Sequence, residues 1–245
     1  MKASFAASLA CCLIANRVGS APSADLEAVL QAHYEARGGE QRIKSLDSAR
    51  FVGSISIVDE VEGSFVLMFK RPRKTRLEFT VDGRVGVQAL DGSTAWAVFP
   101  LDGDVAATVL AEDRTRLMIE QADLEGPLVA WRAKGHRLEL QGVEDLDTGP
   151  AYRIDVTLDT GAVRHVYLDV TTMLTVRQTG LWSLGGEDVA FETRFGEYHE
   201  VGGLMFPHRV ETRSRGASSG QRFVIERIDL EPSLSDDLFV LPASP

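Results

Sequence analysis

The feature that most constrains the fold of this chain is a long succession of short segments in which apolar and polar residues alternate. Several follow one another between residues 50 and 99, separated by turn dipeptides such as Asp82-Gly83 and Asp91-Gly92, and more of them follow residue 136. Alternation with period two is typical of strands with one buried face, and Asp-Gly between such runs indicates hairpins. The pattern predicts a mainly β (α+β) fold, with one large curved antiparallel sheet or barrel of about eleven strands.

Two regions have helical spacing instead. Between Asp25 and Arg37, apolar and aromatic residues recur every three or four positions, and Gly38-Gly39 follows, which predicts a helix that ends at the glycines. Between Glu112 and Trp131 the spacing is again helical, with a Gly126-Pro127 stop. The second region is predicted to be a helical insertion between two halves of the sheet.

The amino terminus has the pattern of a secretory signal. Lys2 is followed by an apolar run from Ala3 to Ala15 and then by small residues at which a signal peptidase could cut. This predicts a signal peptide over residues 1–24, a single domain over residues 25–245, and a soluble periplasmic protein. The two cysteines, Cys11 and Cys12, lie in the leader, so the mature chain would form no disulfide.

Charge and motif spacing exclude several classes of partner. The net charge of -10 would become -12 on cleavage, because the leader carries Lys2 and Arg17 and no acidic residue. Such a charge opposes binding to a polyanion, so nucleic acid is not expected as a partner. The five histidines show no metal-ligand spacing, and no glycine-rich loop opens a helix. Neither a metal nor a cofactor is expected.

The chain contains one motif that is known from the active sites of enzymes. Asp-Thr-Gly occurs at Asp147 and again at Asp159, and it resembles the active-site loop of aspartic proteases. The two copies would lie at opposite ends of one strand, roughly 30 to 40 Å apart, and could not share a proton. A homodimeric acid protease that uses Asp159 alone stays open as a remote alternative, although Asp-Thr-Gly is also ordinary turn material.

A cluster of basic residues marks one hairpin tip: Lys70, Arg71, Arg73, Lys74 and Arg76. Charges at a turn keep strand edges soluble and discourage edge pairing. A cationic rim would also meet lipid phosphate or an acidic partner, since each basic group near an anionic membrane contributes about 1 kcal/mol. Both interpretations stay open, and the second makes this cluster a membrane-facing or partner-facing rim.

Large apolar side chains on the predicted strands form the candidate ligand-binding surface. Buried core packing is the ordinary role of each of them alone. Collectively, in a barrel too wide for side chains to fill, they would line a cavity that takes an apolar ligand. The candidates from the strands and the insertion are Phe65, Leu67, Phe69, Leu77, Phe79, Val81, Trp96, Trp131, Tyr152, Ile154, Phe191 and Ile225. No catalytic residue is expected among them.

A series of ordered motifs spans nearly all of the mature chain: "HYEARGGEQRIKSLDSARFVG", "FKRPRKTRLEF", "DGSTAWAVFP", "ADLEGPLVAWRAKGHRLELQGVEDL", "YLDVTTMLTVR", "GLMFPH" and "SDDLFVLP". Together they resemble the LolA/LolB-like outer-membrane lipoprotein-sorting proteins of Gram-negative bacteria. The resemblance implies a half-open antiparallel barrel with a few lid helices, whose apolar interior takes acyl chains without catalysing a reaction. It also implies roles for single residues. Phe65, Phe69 and Phe79 would belong to the sheet, Trp96 would point into the cavity, and Leu124, Leu128 and Trp131 would belong to a lid that touches ligand or sheet.

The leading prediction is therefore a periplasmic, non-enzymatic protein that shields the acyl chains of a lipid or lipoprotein. Its expected partner is the acyl chain itself. An alternative keeps the fold but makes the protein a sensor, which binds lipid or lipoprotein and signals to an inner-membrane or outer-membrane protein. The two differ in whether a stable complex with such a protein forms.

Overall fold

A computed structural model describes residues 25–57, 61–99, 106–214 and 220–242 of the protein. The predicted signal peptide, residues 1–24, lies outside the described residues. Within them, no helix is both long enough and apolar enough to cross a membrane.

Strands dominate the described part of the chain, and thirteen of them form one antiparallel sheet. Their bounds are β1 Ser48–Ile57, β2 Val61–Lys70, β3 Lys74–Val81, β4 Arg84–Leu90, β5 Ala95–Val98, β6 Thr108–Val109, β7 Arg137–Leu146, β8 Gly149–Thr157, β9 Val163–Asp169, β10 Thr175–Leu184, β11 Glu187–Val201, β12 Leu204–Ser214 and β13 Gly220–Leu230. The mainly β prediction is confirmed, with thirteen strands instead of about eleven. Strand β6 has only two residues, too few to show alternation in the sequence.

The order of the strands explains how the two halves of the chain combine. It runs β6-β5-β4-β3-β2-β1-β13-β12-β11-β10-β9-β8-β7, so two series of hairpins are joined where the first strand pairs with the last. In that central pair Phe51 lies opposite Ile228. Strands β6 and β7 are the two edges, so the sheet is not closed into a barrel, as the half-open prediction requires.

A short helix shows how strongly the sheet curves. Helix α3, Glu112–Gln121, contacts β4 and β5 near one edge and β10 near the other. Seven strand spacings separate β4 from β10 in the sheet order, which would be roughly 34 Å in a flat sheet. A helix of 10 residues is about 15 Å long. The sheet therefore curls, and α3 crosses its concave side.

Two helices precede the sheet and pack on the same side. Helix α1, Leu26–Ala36, begins after Asp25, whose side chain accepts a hydrogen bond from Glu27 N, and it buries Val29, Leu30, His33 and Tyr34. Helix α2, Glu40–Lys44, buries Ile43.

The turn between α1 and α2 depends on a glycine. Gly38 has a φ of 102°, and a Cβ there would lie 2.0 Å from Gly203 O. This close approach fixes α1 against the β11–β12 turn, where Met205 N also donates to Arg37 O.

The register of the strands separates the two faces of the sheet. In the first half, Phe51, Leu67 and Leu77 are cross-strand neighbours, and so are Phe65 and Phe79. Residues in register point to the same side of a sheet, and this side carries the core cluster against which the helices pack. We call it the concave face, and the opposite side the convex face.

Candidate functional site

Most of the predicted apolar candidates lie together on the concave face or against it. Eight of them lie on three strands: Phe65, Leu67, Phe69, Leu77, Phe79 and Val81 on β2 and β3, and Tyr152 and Ile154 on β8. Ile225 joins them from β13, and Phe191 shares a cross-strand row with Gly180 and Arg164 on the same side of the sheet. The alternation in the sequence therefore selected the correct side of these strands.

Trp96 is the exception, and its predicted orientation is wrong. It pairs with Ala89, which pairs with Arg76, and this row belongs to the convex face. There its indole N–H donates to Phe239 O at 2.8 Å, while the Arg76 guanidinium lies 5.5 Å from the ring centroid. The carboxy-terminal segment, residues 232–242, thus covers Trp96 from outside, with Phe239 fully buried.

The basic hairpin tip lies where the sequence predicts, in the turn between β2 and β3, but most of its charge is paired within the chain. Lys70 and Lys74 both bind Asp236, at 2.7 and 2.9 Å. Arg71 binds Glu125 at 2.6 Å, and Arg76 donates to Glu78 and to Leu238 O. The cluster therefore fastens the carboxy-terminal segment and residue 125 to the sheet. This leaves Arg73 at the exposed tip and argues against a free cationic rim.

The segment that follows α3 fills much of the concave face. We call residues 122–136 the plug. Leu128 and Val129 are buried in the core, and Leu124 and Trp131 pack against it, so the predicted contacts of this segment with the sheet are present. The Tyr34 hydroxyl donates to Leu128 O at 2.7 Å, which ties α1 to the plug. A small cavity beside the plug, lined by Leu124, Leu204 and Phe206 among others, has a volume of about 10 Å³, about enough for one water molecule.

Ion pairs hold the plug in place. Glu125 is 5% exposed and binds both Arg71 and Lys134, the latter at 2.9 Å. Burial by itself would raise the pKa of Glu125, but hydrogen bonds from these two cations lower it below its ordinary value. Lys134 also binds Asp123 at 2.7 Å. Removing a partner from such a network leaves a buried charge without compensation, which is strongly unfavourable.

A buried histidine stabilises the contact between α1 and the β9–β10 turn. His33 is 1% exposed, and its Nδ1 lies 2.7 Å from Met173 O. A carbonyl only accepts, so Nδ1 carries the proton and donates. Burial and the nearby charge of Arg37 lower the pKa of His33 to about 4. The imidazole is therefore neutral at physiological pH.

Helix α3 covers the concave face in a different way from the plug. None of its residues is buried, and Met118 and Ile119 pack against a small cluster with Leu90 and Ala95. Polar contacts hold its other side: Asp113 accepts from Gly185 N, and Glu120 binds Arg164. Helix α3 is thus the least firmly packed element over this face, and we call it the lid helix.

Part of the concave face consists of half-buried aromatic and aliphatic side chains that were not among the candidates predicted from the sequence. Trp182 stacks on Phe191 with ring centroids 4.2 Å apart. Phe223 meets Phe65 edge to face at 4.9 Å, and Phe195 and Val210 are paired beside it. Alternation in β10 and β11 could have indicated Trp182 and Phe195, but polar residues around them make the alternation weak.

The convex side offers one rival site. An open groove of about 430 Å³ lies beside the carboxy-terminal segment and is lined by Trp96, Leu238 and Val240, among others. Its walls come largely from that segment.

The two copies of Asp-Thr-Gly lie at opposite ends of one strand. Asp147 and Asp159 lie in the turns at the two ends of β8, as predicted, and Asp147 binds Arg194 at 2.6 Å. Within the described ranges, no cluster of three or more His, Cys, Asp or Glu side chains is placed to hold a metal ion. Most groups on the concave face are apolar, and the polar side chains among them include Arg164 and the paired Thr193 and Thr212, whose hydroxyls lie 3.0 Å apart.

Comparison with solved structures identifies the architecture. A LolA superfamily protein from Nitrosomonas europaea matches with a TM-score of 0.55 and 13% identity, over 90% of this chain and 98% of that one. This chain has a LolA-like fold. A putative outer membrane lipoprotein-sorting protein domain from Vibrio parahaemolyticus gives 0.56 and 8%, over 86% and 94% of the two chains. A DUF1329 family protein from Desulfovibrio piger gives 0.59 and 12%, over 87% and 96%.

At these identities the likeness establishes the LolA-like fold alone. No protein-family model matches the sequence, and no curated protein matches it. The resemblance in ordered short motifs is therefore confirmed by the three-dimensional structure.

Proposed function

We propose that this protein is a periplasmic, non-enzymatic binding protein that shields an acyl chain of a lipid or lipoprotein on its concave face. One observation carries the proposal: a largely apolar face is crossed by a helix in which no residue is buried. The names of two structural neighbours, a LolA superfamily protein and a putative lipoprotein-sorting domain, support the same class of ligand. The leader-like pattern of residues 1–24 supports the periplasmic location.

Binding along the whole face would require the lid helix to move, because its Met118 and Ile119 pack over Leu90 and Ala95. The cavity of about 10 Å³ beside the plug is too small for an acyl chain, whereas the half-buried Phe195, Val210 and Phe223 form an apolar floor. Burying eight methylene groups there would contribute about 6 kcal/mol. Opening the lid offsets part of that gain, so binding would be reversible, as a carrier requires.

The test is native mass spectrometry of protein purified from a periplasm without detergent, followed by solvent extraction. We expect an adduct that extracts as an acylated molecule and that is lost in Phe223→Asp, which places a charge on the concave floor. Val85→Asp is the matched control, because Val85 is 52% exposed and lies on the convex face. A folded wild type that carries no lipid and takes none up from vesicles would refute acyl-chain binding.

A further inference from the structure

Arg164 is an unusual residue for an apolar face. It is 3% exposed and is the sole arginine or lysine that is buried in the described part of the chain. Its cross-strand neighbours, Gly180 and then Phe191, place it on the concave side of β9. A buried guanidinium needs its donors satisfied, so the partners of Arg164 show what this position is built to hold.

The backbone holds one side of the guanidinium rigidly. Nη1 donates to Val163 O and to Leu181 O, each at 2.9 Å. Gly180 makes room for the side chain, because a Cβ there would lie 2.9 Å from Arg164 Cδ and 3.1 Å from Nη1. The cation also lies 5.4 Å from the ring centroid of Phe191. These contacts orient the guanidinium without using its Nε and Nη2 edge.

That free edge binds a carboxylate from the lid helix. Nε and Nη2 donate to the two oxygens of Glu120, both at 2.6 Å. Such a bidentate pairing is the geometry in which a guanidinium recognises any planar carboxylate or a phosphate. The cation is fixed to the sheet, whereas its anion arrives on the helix whose residues are all at least partly exposed.

We propose that Arg164 is the headgroup site for an anionic amphiphile, and that Glu120 is an internal occupant which the carboxylate or phosphate of that ligand displaces. This inference rests on the proposed function. The acyl chain would lie along the concave face beside Trp182 and Phe191, and the headgroup would take the place of Glu120. Displacement of Glu120 frees the lid helix, so the ligand that fits the site also opens it.

The test compares three probes with one sixteen-carbon chain: palmitate, hexadecyl phosphate and hexadecanol. Each is delivered from cyclodextrin and its binding to the full mature chain is measured by calorimetry. We expect at least one anionic probe to bind about tenfold more tightly than hexadecanol, a difference of about 1.4 kcal/mol. Palmitate and hexadecyl phosphate distinguish a carboxylate site from a phosphate site.

Two variants separate a headgroup site from a simple lid latch, because they shift affinity in opposite directions. Glu120→Gln removes the competing anion and is expected to bind the anionic probe about tenfold more tightly. Arg164→Gln is expected to reduce that affinity to the level of hexadecanol. Asp147→Asn and Arg194→Gln are the control variants, since they break an exposed arginine–carboxylate pair away from the concave face, and neither should change the affinity for any probe.

The outcomes distinguish the two proposals. Each of Glu120→Gln and Arg164→Gln could instead raise the affinity for all three probes by the same factor. In that case the ion pair between Arg164 and Glu120 only holds the lid helix closed, and the proposed headgroup site is wrong. If Arg164→Gln fails to fold, the test rests on Glu120→Gln alone. Equal affinity of that variant for the anionic probes and for hexadecanol would then overturn the inference. If no probe binds the wild type or Glu120→Gln, the proposed function itself fails.

Discussion

Replacement of Glu125 by glutamine tests how the plug is held on the concave face. Glu125 is 5% exposed and lies 2.6 Å from Arg71 and 2.9 Å from Lys134. Breaking a buried pair costs about 3 to 5 kcal/mol. Arg71 is 36% exposed and regains water, so we expect a loss of about 2 to 3 kcal/mol of unfolding free energy. For a chain of this size, that is roughly a 5 to 10 °C fall in Tm.

The effect should depend on pH in a defined direction. The pKa of Glu125 is lowered from 4.5 in the folded state, so its contribution is fully present above that value and is lost as the pH falls through the folded pKa. The wild type and Glu125→Gln should therefore differ fully at pH 7 and converge in acid. The convergence reflects protonation of the wild-type carboxyl, which then resembles the neutral amide.

The assay is urea unfolding at a series of pH values, followed by circular dichroism. Asp147→Asn serves as the control, because the ion pair of Asp147 with Arg194 is largely exposed and exposed pairs contribute little to stability. Equal stability of Glu125→Gln and wild type at pH 7 would refute this account of the plug. So would a difference that keeps its full size in acid.

Two further predictions concern groups away from the lid. Phe239→Ala should reduce the unfolding free energy by about 3 to 5 kcal/mol. It should also expose Trp96 to water, which shifts its fluorescence to the red, while acyl-probe binding by the folded fraction stays unchanged. Loss of that binding would contradict the placement of Trp96 on the convex face. For His33, the pKa of about 4 in the folded state lies below its ordinary 6.5, so the unfolded chain takes up the extra proton and stability should fall by roughly 3 kcal/mol between pH 6.5 and 4. The same fall in His33→Gln would show that another group causes it.

The sequence predicted the parts of this fold that depend on local pattern. Alternation located the strands and separated Leu77 and Phe79 from Arg76, because the period of a strand is fixed by its backbone. Helix α1 was predicted from its apolar spacing and from the Gly38-Gly39 stop, which the approach to Gly203 explains.

Features that depend on distant pairings could not be predicted in this way. Trp96 faces outward because the register of two successive hairpins, β3–β4 and β4–β5, aligns it with Arg76, and one residue of slip reverses every side chain in a strand. Lys70 is neutralised by Asp236, which is 166 residues away. The pairing of Arg164 with Glu120 likewise requires that β9 and α3 meet across the curled sheet.

The central claim is that acyl chains bind on the concave face beneath the lid helix. Photoaffinity labelling with a diazirine-bearing palmitate, followed by peptide mass spectrometry, tests it most directly. We predict labelled peptides that contain Phe195, Val210, Phe223 or residues of the lid helix, and we expect excess palmitate to suppress the labelling. Labelling confined to the convex groove at Trp96 and Val240, or labelling that palmitate does not suppress, would contradict this claim.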